Sequence, residues 1–461
     1  MVRTSFPSRN AGGRRYRLLL ATLCLASALF AQNQAPAPPA NLAAVPAVRN
    51  AAAQPPAMDR LQALVTAPPL DHAMVGVRVV ELATGRVVFD FHGSTGFTPA
   101  SNTKLFSGAF ALAKLGAAYR FRTSVQSAAQ PGGSGIVQGD VALIASGDPT
   151  LSGRAYPWES CTHPGDGGAA LRALVGQLVT RGVTRIEGDI VGDDTRYPFE
   201  PYGSDWTIED AGEGGEAPVS AWMLNDNVTG TGDDERGLPD PALAVAEGFR
   251  QALIDQGIVV TGQARVRHRQ PNVTAVPAAG FELAARVSPP LSQILQTMEK
   301  CSVNLHAEAL LLEATFQARG ELMSRKQALD EEKAFFAGQG VPEAQFELND
   351  GSGLSRSNLV TPAAVTALLL AVRNAPWRET FLPALPVGGV DGTLEHRFDG
   401  DPKARLIHAK TGTLRHVTAL SGYAADRFAF SIFVNHFFPA DRVAVLKAVD
   451  TIALEIVRAT E

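Results

Sequence analysis

His416-Val-Thr-Ala-Leu-Ser-Gly-Tyr423 and Phe428-Ala-Phe-Ser-Ile-Phe-Val-Asn-His436, joined by Ala424-Ala425-Asp426-Arg427, decide how this chain folds. Both runs are apolar or alternating, of strand length, and closely linked, which predicts an antiparallel pair. Just upstream, Lys410-Thr411-Gly412-Thr413 begins a further strand edge, and a helix is expected over 441–457. The body of the chain starts in a similar way. A short helix near 59–65 precedes two apolar runs, 75–82 and 87–91, with Ala83-Thr84-Gly85-Arg86 between them, the pattern of a hairpin. The simplest assembly brings both ends into one antiparallel sheet with helices packed on it, an α/β fold.

Between these ends the pattern changes twice. Residues 102–115 are rich in Leu, Phe and Ala, and read as a buried helix beginning at or just before Ser101 and stopping at Gly116. From 121 to 279 turns such as Pro131-Gly132-Gly133 separate strands at 139–144, 185–191 and 259–267 from helices at 170–179 and 243–258. This stretch is expected to be an inserted region of two small mixed α/β domains, with 59–120 and 280–461 forming one catalytic domain around it. Residues 282–319 are apolar with helical period, another helix ends at 336–340, and Thr361-Pro362 starts a third running to 375.

The first 31 residues read as a secretory signal peptide: Arg14, Arg15 and Arg17 precede an apolar run, 18–31, whose end carries Ala26, Ser27, Ala28 and Ala31. The run is short for a membrane span, so at most peripheral membrane contact is expected. Residues 32–58, mostly Ala, Pro, Asn and Gln, read as a linker. An exported chain permits a disulfide, and whether Cys161 and Cys301 pair stays open. The formal net charge of -5, with both signs interspersed and no basic block, argues against a nucleic-acid partner. No His cluster has metal-ligand spacing, and no cofactor motif is present.

Lysine occurs eight times among 41 cationic residues, and only lysine can serve where an amine must lose its proton. Ser101-Asn102-Thr103-Lys104 sets a hydroxyl and an amine three residues apart at a helix start, on one face. Such a lysine acts as a base only when burial or a second cation makes it neutral. Ser302-Val303-Asn304 offers a hydroxyl for proton relay and an amide to hold Lys104. Lys410-Thr411-Gly412-Thr413 offers positive charge and hydroxyls for a carboxylate, with Gly412 permitting close backbone approach. Taken singly, each motif has a plainer reading as a cap or a turn. Neither HExxH nor GxSxG is present, which disfavours zinc-peptidase and α/β-hydrolase readings.

The three motifs together, in this order, are the signature of penicillin-binding proteins and class A β-lactamases. The chain resembles the D-Ala-D-Ala carboxypeptidases/endopeptidases called class C low-molecular-mass penicillin-binding proteins, peptidase family S13, from about residue 60 to 455. Further resemblance lies in Leu143-Ile-Ala-Ser-Gly-Asp-Pro-Thr-Leu151, Ala217-Pro218-Val219-Ser220-Ala221, Asn225-Asp226-Asn227, Asp350-Gly351-Ser352-Gly353-Leu354-Ser355-Arg356 and Gly389-Val390-Asp391-Gly392-Thr393-Leu394. The resemblance implies a serine β-lactamase/transpeptidase-like domain, and a periplasmic or cell-envelope enzyme that cleaves peptidoglycan stem peptides through an acyl-enzyme and is acylated by β-lactams. It implies Ser101 as nucleophile, Lys104 as base, Ser302 as relay, Asn304 as support, and Lys410 as the second cation. Thr411, Gly412 and Thr413 would bind substrate, and the backbone N–H groups of Ser101 and Thr413 would form the oxyanion hole. A β-lactamase or esterase on the same scaffold, and a non-catalytic wall-binding protein, are the alternatives.

Overall fold

The computed structural model describes residues 56–162, 166–207, 217–230, 235–274 and 280–460. The stretch read as a signal peptide, 1–31, and the stretch read as a linker, as far as residue 55, lie outside them. The last residue read as linker, Met58, is instead fully buried in a helix, Pro56–Leu64.

Both ends of the chain meet in one five-stranded antiparallel sheet. Its order is Ile407–Leu414, Val417–Ala424, Phe428–Asn435, Met74–Glu81, Val87–Phe91. Met74 pairs with Asn435 and Glu81 with Phe428, so the first strand of the body completes the last hairpin. Alternation divides the side chains between two cores. Leu420, Phe428, Phe430, Ile432 and Val434 join Val445, Val449 and Ile452 of the C-terminal helix Arg442–Arg458. Ala419, Tyr423, Ala429 and Phe433 join Phe97, Leu368 and Leu369 on the other face. Burial on both faces explains why these strands read as nearly continuous apolar runs.

The second core surrounds the helix Lys104–Leu115, which packs against Leu291–Cys301 and Asn304–Arg319. Phe106 and Phe110 are fully buried there, between Phe335, Phe336 and Phe346. Truncating either to Ala would cost about 3–5 kcal/mol, so this helix is held firmly beneath the sheet.

A second, mixed sheet runs Ala264–Arg267, Ile190–Asp193, Val141–Ile144, Arg122–Ser127, Phe281–Val287, and a parallel trio runs Val259–Val260, Arg185–Glu187, Ile136–Gln138. Two expectations need correction here. The runs 185–191 and 259–267 are each two strands in different sheets, not one. They break at Gly188 and Gly262, where backbones cross: a Cβ on Gly188 would lie 2.2 Å from the Gly139 carbonyl carbon, and one on Gly262 2.2 Å from the Gly188 oxygen. Residues 282–287, read as helical, are a strand paired antiparallel with Arg122–Ser127; the helix starts only at Leu291, after Pro289-Pro290. Apolar residues at both parities hid the two-residue period.

Buried polar groups tie this region to the helices. Glu313, on Asn304–Arg319, accepts a bidentate pair from Arg196 at 2.8 and 2.6 Å, and bonds from the Tyr197 hydroxyl at 2.8 Å and from Tyr119. Among the described residues no helix is long and apolar enough to cross a membrane.

Candidate active site

The Ser101 segment is a single 3-10 turn, Ala100–Thr103, running directly into the α-helix at Lys104. The turn preserves the i, i+3 relation, and Lys104 Nζ lies 2.9 Å from Ser101 Oγ. Lys104 is wholly buried, and donates to Asn304 Oδ1 at 2.6 Å and to the Ser352 carbonyl at 2.6 Å. Both of those atoms only accept. A neutral amine has two N–H groups and one lone pair, so with both donors spent the lone pair is left facing the Ser101 hydroxyl. Burial, then repulsion from Lys410, bring the Lys104 amine down to about 7.

Ser302 caps the helix Leu291–Cys301 in the left-handed conformation (φ 59°), and Asn304 opens the next helix two residues later. The tight junction aims Ser302 at one amine and Asn304 at the other. Lys410 Nζ, also fully buried, donates to Ser302 Oγ at 2.9 Å and to the Thr411 carbonyl at 3.0 Å. Ser101, Lys104, Ser302, Asn304 and Lys410, drawn from three distant stretches of chain, therefore form one connected group.

The Lys410 strand is an edge strand. Ala409 N–H donates to the Pro386 carbonyl on its outer side, so by alternation the N–H groups of Thr411 and Thr413 point outward as well. Thr411 donates its hydroxyl to Thr393 Oγ1 at 2.8 Å, while Thr413 is exposed. At Gly412 the strand meets the Ser101 turn: a Cβ there would lie 2.6 Å from the Pro99 oxygen, and Asn102 Nδ2 donates to the Lys410 carbonyl at 3.0 Å.

Several groups beyond the motifs position this one. Asp350 Oδ1 accepts from Gly353 N–H and from Asn358, and its Oδ2 from Ser355 N–H and Trp206 Nε1. Glu308, paired with Arg325 at 2.6 Å, accepts from the N–H groups of Gly351 and Ser352, both at 2.9 Å, which aims the Ser352 carbonyl at Lys104. Gly353 has φ +91°, and a Cβ there would be 1.9 Å from the Ala100 oxygen, so this turn is pressed against the Ser101 segment. The sequence marked 350–356 as part of the family resemblance. It gave no sign of Asn102, Glu308 or the Ser352 carbonyl, whose roles depend on neighbours about 40 to 310 residues away.

The open question of the cysteines is settled: Cys161 and Cys301 are bonded, with Cα atoms 5.2 Å apart. The bond fixes residues of the 151–162 loop beside Ser302, and Trp158 Nε1 lies 3.1 Å from Cys301 Sγ. A cavity of about 190 Å³ opens there, lined by Ser302, Asn304, Arg154, Asp226 and Trp206. Trp222 is fully buried in the core. Among the described residues no group of three or more His, Cys, Asp or Glu is placed to hold a metal ion.

Comparison with known proteins agrees with this geometry. The family model for D-Ala-D-Ala carboxypeptidase 3 (S13) matches residues 57–234 and 233–455. The chain belongs to the D-Ala-D-Ala carboxypeptidase 3 (S13) family. A D-alanyl-D-alanine carboxypeptidase of Actinomadura is 32% identical over 460 residues, covering 82% of this chain and 81% of that protein. A carboxypeptidase of Mycobacterium tuberculosis is 29% identical, with 89% and 87% covered. The crystal structure of penicillin binding protein 4 from Haemophilus influenzae superposes with a TM-score of 0.73 at 22% identity, over 86% of this chain and 97% of that one, and shares the fold. As an S13 member the chain is a serine-type D-Ala-D-Ala carboxypeptidase, acting on peptidoglycan stem peptides through an acyl-enzyme and open to β-lactams.

Proposed function

We propose that Ser101 is the nucleophile and Lys104 its base in the removal of the terminal D-Ala, with endopeptidase cleavage of cross-links as a second use of the same chemistry. The single observation that supports this is the buried Lys104 amine, whose two acceptor-only partners leave its lone pair to the Ser101 hydroxyl.

Ser101 Oγ attacks the carbonyl of the penultimate D-Ala, and its proton passes to Lys104. The tetrahedral oxyanion is received by the N–H groups of Ser101 and Thr413; losing one such donor typically costs about 3 kcal/mol. As the C–N bond breaks, Lys104 returns the proton to the leaving amine by way of Ser302, and Asn304 holds Lys104 throughout. Lys410 raises the cost of a second positive charge on Lys104 and attracts the substrate carboxylate, which Thr411 and Thr413 then bind, while Gly412 keeps the strand close enough to do so. Water releases the acyl group by the reverse route. The cavity beside Asn304 supports a side chain on the acyl side of the scissile bond. No cofactor enters the scheme.

The leader supports export, with cleavage after residue 31 and action in the periplasm or cell envelope, which N-terminal sequencing of the mature protein tests. For the chemistry, intact mass after exposure to a labelled penicillin, followed by peptide mapping, should give one adduct on Ser101, absent in Ser101→Ala. Folded wild-type protein that stays unmodified would overturn the scheme.

A further inference from the structure

Two buried amines close to one another need an anion, yet every hydrogen-bond partner of Lys104 and Lys410 is neutral: Ser101, Asn304 and a carbonyl for the first, Ser302 and a carbonyl for the second. One carboxylate that the mechanism does not use lies in the same interior. Glu299 stands three residues before Ser302 on the helix Leu291–Cys301, has no exposed surface, and neither of its oxygens has a hydrogen-bond partner among the described residues. Its Oε1 fills the notch left by Gly108, where a Cβ would lie only 2.8 Å away; Gly108 is one helical turn past Lys104. The notch is otherwise lined by Leu295 and Met298.

The charged groups acting on Glu299 are Lys410 from the edge strand and Lys104 from the helix. Burial pushes its carboxyl up, and the two amines pull it back, Lys410 more strongly. Asp350 and Glu308 act on Lys104, but both are already held by backbone N–H groups and, for Glu308, by Arg325.

We propose that Glu299 is a positioning residue for acylation: its buried carboxylate keeps Lys410 charged while Lys104 is neutral, so that the ready state of the three groups carries no net charge. This rests on the serine–lysine reading above. Attack by Ser101 then adds a single proton to Lys104, which the leaving amine carries away.

The test is the pH profile of penicillin acylation in Glu299→Gln, which keeps shape and removes charge. Without the anion both amines give up their protons more readily, so both limbs move to lower pH. A shift of one unit changes the rate about tenfold at fixed pH on either limb. The variant should outrun wild type on the acid limb and fall behind it on the alkaline limb. If Glu299→Gln fails to fold, judged by circular dichroism, Glu299→Met of similar volume takes its place. A uniform reduction with unmoved limbs means a packing role only and overturns the proposal. Wild-type protein that is never acylated would instead sink the serine–lysine reading itself.

Discussion

Lowering the pH from 7 to 5 should slow acylation by penicillin about 50-fold, and the size of the effect follows from the Lys104 environment. An ordinary lysine, with a pKa of 10.5, is neutral at pH 7 in about one molecule in 3,000. Held down to about 7, Lys104 is neutral in about half. The site thereby gains about 1,500-fold in active base, which at 1.36 kcal/mol per tenfold is about 4 kcal/mol. At pH 5 the neutral fraction falls to about one in 100, hence the 50-fold loss. The assay is the second-order rate of labelling by a fluorescent penicillin in stopped flow, which reports the ionisations of the free enzyme. Lys410, brought down to about 8 by burial against the pull of Glu299, must stay charged to draw in the carboxylate, so a falling limb is expected above that pH. Lys104→Arg, which cannot lose its proton, should abolish labelling at every pH tested. An acid limb centred above pH 9, or none at all, would refute a lysine base.

Four further outcomes are expected. Asn304→Asp places a carboxylate 2.6 Å from the Lys104 amine and should move the acid limb up by about 1–3 units, slowing labelling at pH 7 by about fivefold or more; an unmoved limb would separate Asn304 from the base. Gly353→Ala forces a Cβ against the Ala100 oxygen and should cost labelling about 100-fold while circular dichroism stays native-like. Cys161→Ser should lower stability by about 2–4 kcal/mol, read as a fall in melting temperature that reductant reproduces in wild type and does not add to in the variant. His306 is fully buried, and burial holds its imidazole down to about 4. Between 6.5 and 4 the unfolded chain binds a proton that the native state does not, so stability should fall by about 3 kcal/mol as the pH drops through that window. Urea melts of His306→Gln at pH 7 and 4.5 should show most of this loss removed.

How far the sequence could be read depended on the range over which each signal acts. The terminal hairpins and the helices after Thr361 and around 104–115 are announced by nearby residues: Ala83-Thr84-Gly85-Arg86 makes its turn in place, and the Thr361 hydroxyl accepts from Ala364 N–H 3.0 Å away. Residues 282–287 misled because Leu283, Ala284 and Ala285 break the alternation, and the partner that makes a strand of them, Arg122–Ser127, lies about 160 residues back. The split strands at Gly188 and Gly262 failed for a related reason: each glycine is required by a second backbone crossing it, which no local window contains.

The same distinction runs through the site. Ser101, Lys104, Ser302, Asn304 and Lys410, which the structure brings together, could be picked out because the proposed proton transfer demands their residue types and leaves few substitutes. Burial and Lys410 lower the Lys104 amine, and what else acts on it belongs to a different set: a carbonyl at Ser352 aimed by Glu308, and a carboxyl at Glu299 lodged against Gly108. In sequence these are a glutamate in each of two helices and a serine in a turn, unremarked because a carbonyl belongs to every residue and a glutamate usually faces water. Burial turns them into chemistry. An unpaired carboxylate in that interior is costly unless cations share it, and two cations are costly unless an anion does. The amines and the carboxyl therefore stabilise one another only as a group: burial and Lys410 keep the Lys104 base neutral at working pH, while Glu299, which the motif does not contain, works the other way and favours the charge on Lys410.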